Sequence, residues 1–88
     1  MSTSTTVRVT VRYFAAARAA AGTAEEELSV PAGTTVQDVL DRLSERDPEL
    51  TRVMARCSYL CDGIAVRDTT IAVRNASTLD VLPPFAGG

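Results

Sequence analysis

The chain has 88 residues, with nine basic side chains against eleven acidic ones and a net charge of −2. A length this short predicts one small domain, and the near-balanced charge argues against nucleic acid or an anionic membrane as a partner, because both select a basic face. Histidine is absent, so the commonest general base and metal ligand is missing, which argues against an independent hydrolase or metalloenzyme.

The first six residues are polar and carry no apolar stretch behind a basic start. We therefore expect residues 1–6 to form a flexible N-terminus rather than a signal peptide or a membrane anchor. No run in the chain approaches the roughly 18 apolar residues that a membrane-spanning helix needs. The expected location is the cytoplasm.

The next part of the chain predicts two strands with a short helix between them. Residues 7–14 alternate between apolar and polar side chains, which indicates a half-buried strand. Residues 15–21 are rich in alanine and Gly22 follows them, so a short helix that ends at glycine is expected. Residues 24–30 alternate more weakly and predict a second strand, paired with the first. The glutamates at 25–27 are expected to form a solvated strand edge.

The main helix is predicted at residues 35–46. A turn signal at 31–33 precedes it, and Thr34 followed by Gln37 matches the spacing of a capping box. Pro48 is expected to close the helix. The apolar residues that recur at helical spacing are Val36, Val39, Leu40 and Leu43.

The second half of the chain consists of short apolar segments separated by turn signals. A further helical turn is predicted at residues 48–55. Short strands are predicted at 57–61, 64–66, 70–73 and 79–82, with turns at 62–63 and 75–77.

This order of elements predicts an α+β fold of the β-grasp, or ubiquitin-like, type: a mixed β-sheet with one main helix packed on one face. The first and last strands would lie side by side in the middle of the sheet. The predicted domain covers residues 7–82, and residues 83–88 would form a flexible C-terminal tail.

Two cysteines, Cys57 and Cys61, are predicted to be small buried residues of the core. Two thiols without histidine cannot complete a four-ligand zinc site, so no metal site is expected. On a strand, residues four apart are separated by about 13 Å, which is too far for a disulfide.

The last six residues, Pro83-Pro-Phe-Ala-Gly-Gly88, are the most informative segment. Six extended residues span at most roughly 20 Å, enough to carry a terminal carboxylate into the active site of another protein. Gly87 and Gly88 lack side chains and fit a narrow slot. Phe85 is the predicted anchor in a partner, with Pro84 and Ala86 beside it, although its ring could instead pack on the edge of its own sheet.

Four segments carry a resemblance to a known family: Arg12-Tyr-Phe-Ala-Ala-Ala-Arg18, Val30-Pro-Ala-Gly-Thr-Thr-Val36, Leu79-Asp-Val-Leu82 and Pro83-Pro-Phe-Ala-Gly-Gly88. Together they resemble the MoaD-type small subunit of molybdopterin synthase, which belongs with the thiamine carrier ThiS to the ubiquitin-like sulfur carriers. The resemblance spans nearly the whole chain, and the tail with the strand before it is its most specific part.

The resemblance implies a sulfur carrier that binds no cofactor and is not an enzyme on its own. An adenylating enzyme related to ubiquitin-activating enzymes would use ATP to adenylate Gly88, and sulfur from a sulfurtransferase persulfide would convert the adenylate into a thiocarboxylate. The tail would then enter the large subunit of molybdopterin synthase, in a heterotetramer, and donate sulfur to cyclic pyranopterin monophosphate.

Two alternatives stay open at this point. One is a sulfur carrier of the same fold that serves thiamine, cysteine or a specialised metabolite. The other is a ubiquitin-like modifier that joins its terminal glycine to lysines of target proteins. The side chains of Arg8, Arg12 and Arg18 either form salt links with a partner or lie on solvated faces, and solvated faces are the expectation.

Overall fold

The computed structural model describes residues 5–84. Three helices pack against a five-stranded sheet whose strand order is β2-β1-β5-β3-β4. The elements are β1 (Thr6–Tyr13), α1 (Ala15–Ala21), β2 (Glu25–Pro31), α2 (Val36–Ser44), α3 (Pro48–Met54), β3 (Ser58–Cys61), β4 (Ile64–Ala65) and β5 (Ser77–Leu82). No helix in this described range is long and apolar enough to cross a membrane.

The two central strands come from opposite ends of the domain. β1 pairs in parallel with β5, from Val9 opposite Ser77 to Tyr13 opposite Val81. β2 pairs antiparallel with the other side of β1, and β3 pairs antiparallel with β5. The prediction of a mixed β-grasp sheet with its first and last strands in the middle is therefore confirmed.

All three helices cover the same face of this sheet. The inward side chains of β1 and β5 join the apolar side chains of the helices in one buried cluster. Its members are Val9, Val11, Tyr13, Ala17, Val30, Val36, Val39, Leu40, Leu43, Leu50, Met54, Val73, Leu79 and Val81. We call this side the covered face and the opposite side of the sheet, on which no described helix lies, the open face.

The cap of α2 differs from the predicted one by one residue. Thr35, not Thr34, caps the helix: its hydroxyl accepts a hydrogen bond from the Asp38 N–H at 3.1 Å, and the Asp38 carboxylate accepts one from the Thr35 N–H at 3.1 Å. The Thr34 hydroxyl instead donates to the Pro31 carbonyl at 2.6 Å. Gln37, the predicted partner, donates its side-chain amide to Asp41 at 2.8 Å.

The predicted helical turn after α2 is a full helix, α3. Asp47 caps it by accepting a hydrogen bond from the Glu49 N–H at 2.8 Å. Pro48, expected to close α2, occupies the first turn of α3, where a missing N–H has no consequence. Leu50 and Met54 anchor the helix in the core.

The strand predicted at 70–73 is absent. The backbone there bonds to the start of α2: Val36 N–H donates to the Ile71 carbonyl at 3.0 Å, and Gln37 N–H donates to the Thr69 carbonyl at 2.9 Å. The first N–H groups of a helix lack partners within the helix, and this segment supplies them. The strand-like pairing in this segment is limited to an isolated bridge between Thr35 and Ala72.

The two cysteines are half-buried rather than fully buried, and both are free. Cys57 lies just before β3, and its thiol donates to the Val53 carbonyl at 3.2 Å. Burial raises the pKa of both thiols, and the neighbouring Asp62 adds to the rise for Cys61. Within residues 5–84, no group of three histidine, cysteine or acidic side chains is arranged to hold a metal ion.

Candidate functional site at the base of the C-terminal segment

Of the five predicted site residues, the described range includes only Pro84, which is exposed. Phe85, Ala86, Gly87 and Gly88 lie outside the described residues, so their roles stay predictions. What the structure does describe is the base from which this segment leaves the domain.

That base is the end of the central strand of the sheet. β5 is hydrogen-bonded to β1 on one side and to β3 on the other, and it ends at Leu82. Leu79 and Val81 are fully buried on the covered face, and Pro83 is half-buried. A strand held on both edges and packed below is a firm support, so the segment that follows starts from a fixed position and direction.

On the open face of this strand lies a carboxylate that the sequence reading passed over. Asp80 is nearly buried, and its two oxygens accept hydrogen bonds from Arg12, at 2.7 Å from Nε and 3.2 Å from a terminal nitrogen. Such a two-point contact between guanidinium and carboxylate is stronger and more directional than a single hydrogen bond. Arg12 was expected to lie on a solvated face; its side chain is about half exposed there, and it is also paired with Asp80 within the chain. The hydrogen bond with Asp80 and the negative charge of that carboxylate raise the pKa of Arg12 above the ordinary arginine value.

Phe14 projects beside this ion pair. The Arg12 guanidinium lies 5.5 Å from the centre of its ring, a cation–π contact, and the side chain is 38% exposed. Phe14 N–H donates to the Val81 carbonyl at 3.3 Å, which fixes it alongside the end of β5. The next residue, Ala15, has φ +50°, a left-handed conformation that costs a non-glycine residue about 1 kcal/mol or more.

Two leucines complete an apolar area around the ion pair. Leu60 faces Asp80 across the β3–β5 pairing, and Leu82 is the next open-face residue along β5. Both are partly exposed, and neither belongs to the set of residues that pack against the main core. We call Phe14, Leu60 and Leu82, with Arg12 and Asp80 between them, the open-face patch. Partly exposed apolar groups around a fixed charge pair are typical of a protein-binding surface.

The glutamates at 25–27 divide between solvent and the fold. Glu25 and Glu27 are exposed, as expected for a strand edge, but Glu26 accepts hydrogen bonds from the Tyr13 hydroxyl and from Arg46, both at 2.7 Å. Burial alone would raise the pKa of Glu26, but these two donors hold it below its ordinary value. This trio links β1, β2 and the end of α2.

The remaining arginines of the sequence prediction play smaller parts. Arg8 lies 4.0 Å from Glu27, and both side chains are mostly exposed, so the pair contributes little to stability. Arg18 is exposed on α1. For these two residues the expected solvated surface is confirmed.

Residues 11–88 match the ThiS family, a range that includes the open-face patch and the whole C-terminal segment. The chain belongs to the ThiS family. A molybdopterin synthase sulfur carrier subunit from Arabidopsis thaliana is 32% identical over 82 residues, covering 93% of this chain and 84% of that protein. A protein with the same name from Chlamydomonas reinhardtii is 28% identical and is covered over its full length, with 93% of this chain aligned.

Solved structures support the fold. Small archaeal modifier protein 1 from Methanosarcina acetivorans is 28% identical, with a TM-score of 0.79 over 96% of this chain and 99% of that one. A complex of subunits 1 and 2 of molybdopterin-converting factor from Helicobacter pylori contains a chain with a TM-score of 0.67, covering 93% of this chain and all of that one. At 17% identity, this second likeness speaks for the fold alone.

Proposed function

We propose that this ThiS-family chain is the sulfur carrier subunit of a molybdopterin synthase. The observation that carries the proposal is the family match, which covers residues 11–88 and so includes the tail. Both curated relatives described above are named as sulfur carrier subunits of molybdopterin synthase. The structural base fits such a role, because the tail follows a central strand that is held on both edges.

The chemistry takes place on the main-chain carboxylate of Gly88. In the active site of an adenylating enzyme, a carboxylate oxygen attacks the α-phosphorus of ATP, pyrophosphate leaves, and an acyl-adenylate forms. The terminal sulfur of a sulfurtransferase persulfide then attacks the acyl carbon and AMP leaves. A second thiol reduces the resulting acyl disulfide and leaves a thiocarboxylate on Gly88. This chain contributes no acid or base; it contributes the delivered carboxyl group.

The body of the chain orients that group in two ways. β5 fixes where the tail begins, and the open-face patch gives a partner an apolar surface directly beside that point. Phe85 would anchor the tail in the partner's channel, with Pro84 and Ala86 in contact with its walls, and the absence of a side chain at Gly87 would admit the reactive end. The large synthase subunit is the proposed receiver, and cyclic pyranopterin monophosphate is the proposed sulfur acceptor.

The test is the intact mass of the chain after incubation with an adenylating enzyme, ATP and a persulfide sulfur source. Exchange of one oxygen for sulfur should add about 16 Da, and later incubation with the large subunit and pyranopterin should remove it. A chain without Gly87 and Gly88, or one extended by a residue after Gly88, should keep its circular dichroism spectrum and take up no sulfur. An extended chain that loads sulfur without first being trimmed would contradict the proposal.

A ubiquitin-like modifier is the second candidate, because the chain is also similar to small archaeal modifier protein 1. In that case Gly88 would become attached to lysines of other proteins through isopeptide bonds. Since all nine basic residues of this chain are arginine, it has no lysine of its own to accept such a link. Mass spectrometry of cellular conjugates distinguishes the candidates, because a carrier alone leaves no C-terminal peptide of this chain attached to target lysines.

A further inference from the structure

A second surface borders the base of the tail, on the side of the helices. Between α1 and α3 there is a groove of about 410 Å³, and the first two residues of the tail form one of its walls. We call it the α1–α3 groove. It is lined by Ala16, Arg52, Val53, Arg56, Pro83 and Pro84.

The floor of this groove is apolar and fixed in position. Val53 is half-buried and packs against the main core, and Pro83 is half-buried at the end of β5. α3 itself is held by the Asp47 cap and by the buried Leu50 and Met54. A floor of this kind suits an aliphatic side chain from another protein, and no large rearrangement is needed to expose it.

Two guanidinium groups border the apolar floor. The Arg52 side chain is 77% exposed, and its one ion pair within the described range is a 3.6 Å contact with Glu49, also largely exposed. Arg56 forms no ion pair with any other residue in the range 5–84. A positive side chain near the end of α3 stabilises the helix by about 0.3–1 kcal/mol. This effect explains an arginine at the helix end, but it does not explain why both arginines border an apolar groove.

We propose that the α1–α3 groove binds an acidic segment of the large synthase subunit. An aliphatic side chain of that segment would rest on Val53 and Pro83, and its carboxylates would pair with Arg52 and Arg56. This inference rests on the proposed function, since it takes the tail-receiving subunit as the partner.

Charge complementarity and continuity with the tail favour this occupant. A pocket that accepts a terminal carboxylate or thiocarboxylate must be electropositive inside. Arg52 and Arg56 both line the groove, and neither has a close, buried acidic partner among residues 5–84, so charge complementarity favours an acidic segment there. Because Pro83 and Pro84 form a wall of the groove, a protein that holds the tail at its base lies directly beside the groove.

The experiment compares two double charge reversals with identical net charge. Arg52→Glu with Arg56→Glu alters the groove, whereas Arg67→Glu with Arg74→Glu alters two exposed arginines near the start of β5, at the opposite end of that strand from the tail. Affinity for the large subunit is measured by calorimetry at low and high salt. We expect the groove variant to bind at least about 10-fold more weakly at low salt, and the control to change less than about threefold.

The salt series adds a second readout. Binding of the wild type and of the control should weaken as salt is raised, and the groove variant should lose most of that dependence. Equal weakening in both double variants would mean that only net charge matters and would overturn the inference, as would unchanged affinity in the groove variant. If the groove variant is unfolded by circular dichroism, Arg56→Gln decides instead, with a smaller loss expected in the same direction.

Two other occupants are tested on the free chain. Amide chemical shifts of Ala16 and Val53 that change strongly when residues 85–88 are removed would assign the groove to this chain's own tail. A dimer in the ultracentrifuge that the groove variant abolishes would assign it to a second copy. Either result overturns the inference. If the wild type loads sulfur but the groove variant binds the large subunit no more weakly than the control, the proposed function stands and only the groove inference is refuted. If the wild type neither loads sulfur nor binds the large subunit, the proposed function and the groove inference are both refuted.

Discussion

Neighbouring residues of β1 lie in opposite surroundings. Val11 is fully buried against the helices on the covered face, while Arg12, the next residue, lies on the open face and is bound to Asp80. The same contrast holds on β5, where Leu79 and Val81 point into the core and Asp80 and Leu82 point away from it. One set of strands therefore provides both a stabilising surface and a surface available for recognition.

The two faces differ in the kind of interaction that they contribute. The covered face is mostly apolar, so much of its contribution to stability follows the apolar area that it removes from water. The open face includes a nearly buried carboxylate. A protein in which hydrophobic residues replace a buried ion pair is often equally stable or more stable. The two faces therefore differ in kind: apolar burial holds the covered face, whereas the open face carries a charge pair that is half exposed at Arg12 and nearly buried at Asp80.

The largest expected difference between the faces comes from truncating one leucine on each. Leu79→Ala should lower the free energy of unfolding by about 2–5 kcal/mol, because it leaves a cavity in a filled core. Leu82→Ala should lower it by about 1 kcal/mol or less, since that side chain is partly exposed outside the core. Urea titration of both variants measures the difference, and similar losses would contradict the division into two faces.

The ion pair of the open face should show the next largest effect. Arg12→Ala leaves the Asp80 carboxylate nearly buried without its partner, which should cost about 1–3 kcal/mol of stability. Arg8→Ala is the matched control on the same strand and face, and it should change stability by less than about 0.5 kcal/mol because its contact with Glu27 is long and exposed. If both variants have the same small effect in urea titration, the pair is a solvated surface contact after all.

Alkaline pH should weaken the covered face through its two tyrosines. Burial, with a smaller part from Cys57, raises the pKa of Tyr59 to about 12, and burial with the Glu26 hydrogen bond raises the pKa of Tyr13 above its ordinary value. The unfolded chain releases these protons near pH 10. The stability that both tyrosines contribute is therefore fully present below about pH 10 and is lost progressively above it, up to about pH 12 for Tyr59.

Urea midpoints measured across this range test the effect. At neutral pH, Tyr59→Phe should cost about 1 kcal/mol, because the Met54 carbonyl loses the hydroxyl that donates to it at 2.8 Å. Tyr13 and Tyr59 are the two tyrosines of the chain, so a variant with phenylalanine at both should fall less steeply above pH 10 than the wild type. Parallel curves for the two proteins would refute the assignment to tyrosine.

The smallest effects are expected at the two cysteines on the rim of the core. Cys57→Ser keeps a donor for the Val53 carbonyl, and Cys61 is only half-buried, so each serine should cost about 1 kcal/mol or less. Sulfur loading of the double variant should equal that of the wild type, because the proposed site of the carried sulfur is the carboxyl carbon of Gly88 and not a thiol. A double variant that folds normally but takes up no sulfur would require a thiol relay.

The sequence pattern predicted the structural features that depend on residues close together in the chain. The alternation of β1 and the glycine after α1 depend on adjacent residues, and both predictions match the structure. The absent strand at 70–73 depends on the unpaired N–H groups of a helix more than 30 residues earlier, which no local pattern records. The Arg12–Asp80 pair spans 68 residues. An arginine on the polar side of β1 and a lone carboxylate in an apolar strand were its only signals in the sequence.

The placement of β5 also sets an order of events during synthesis. The centre of the sheet requires pairing between β1 and a strand that follows it by 68 residues. Such a distant pairing closes slowly compared with local helices and hairpins, and it cannot begin until Ser77–Leu82 has been translated. The strand that completes the body is followed at once by the segment proposed to carry the sulfur. A partner that binds the open face would therefore bind only chains in which β5 is already paired with β1.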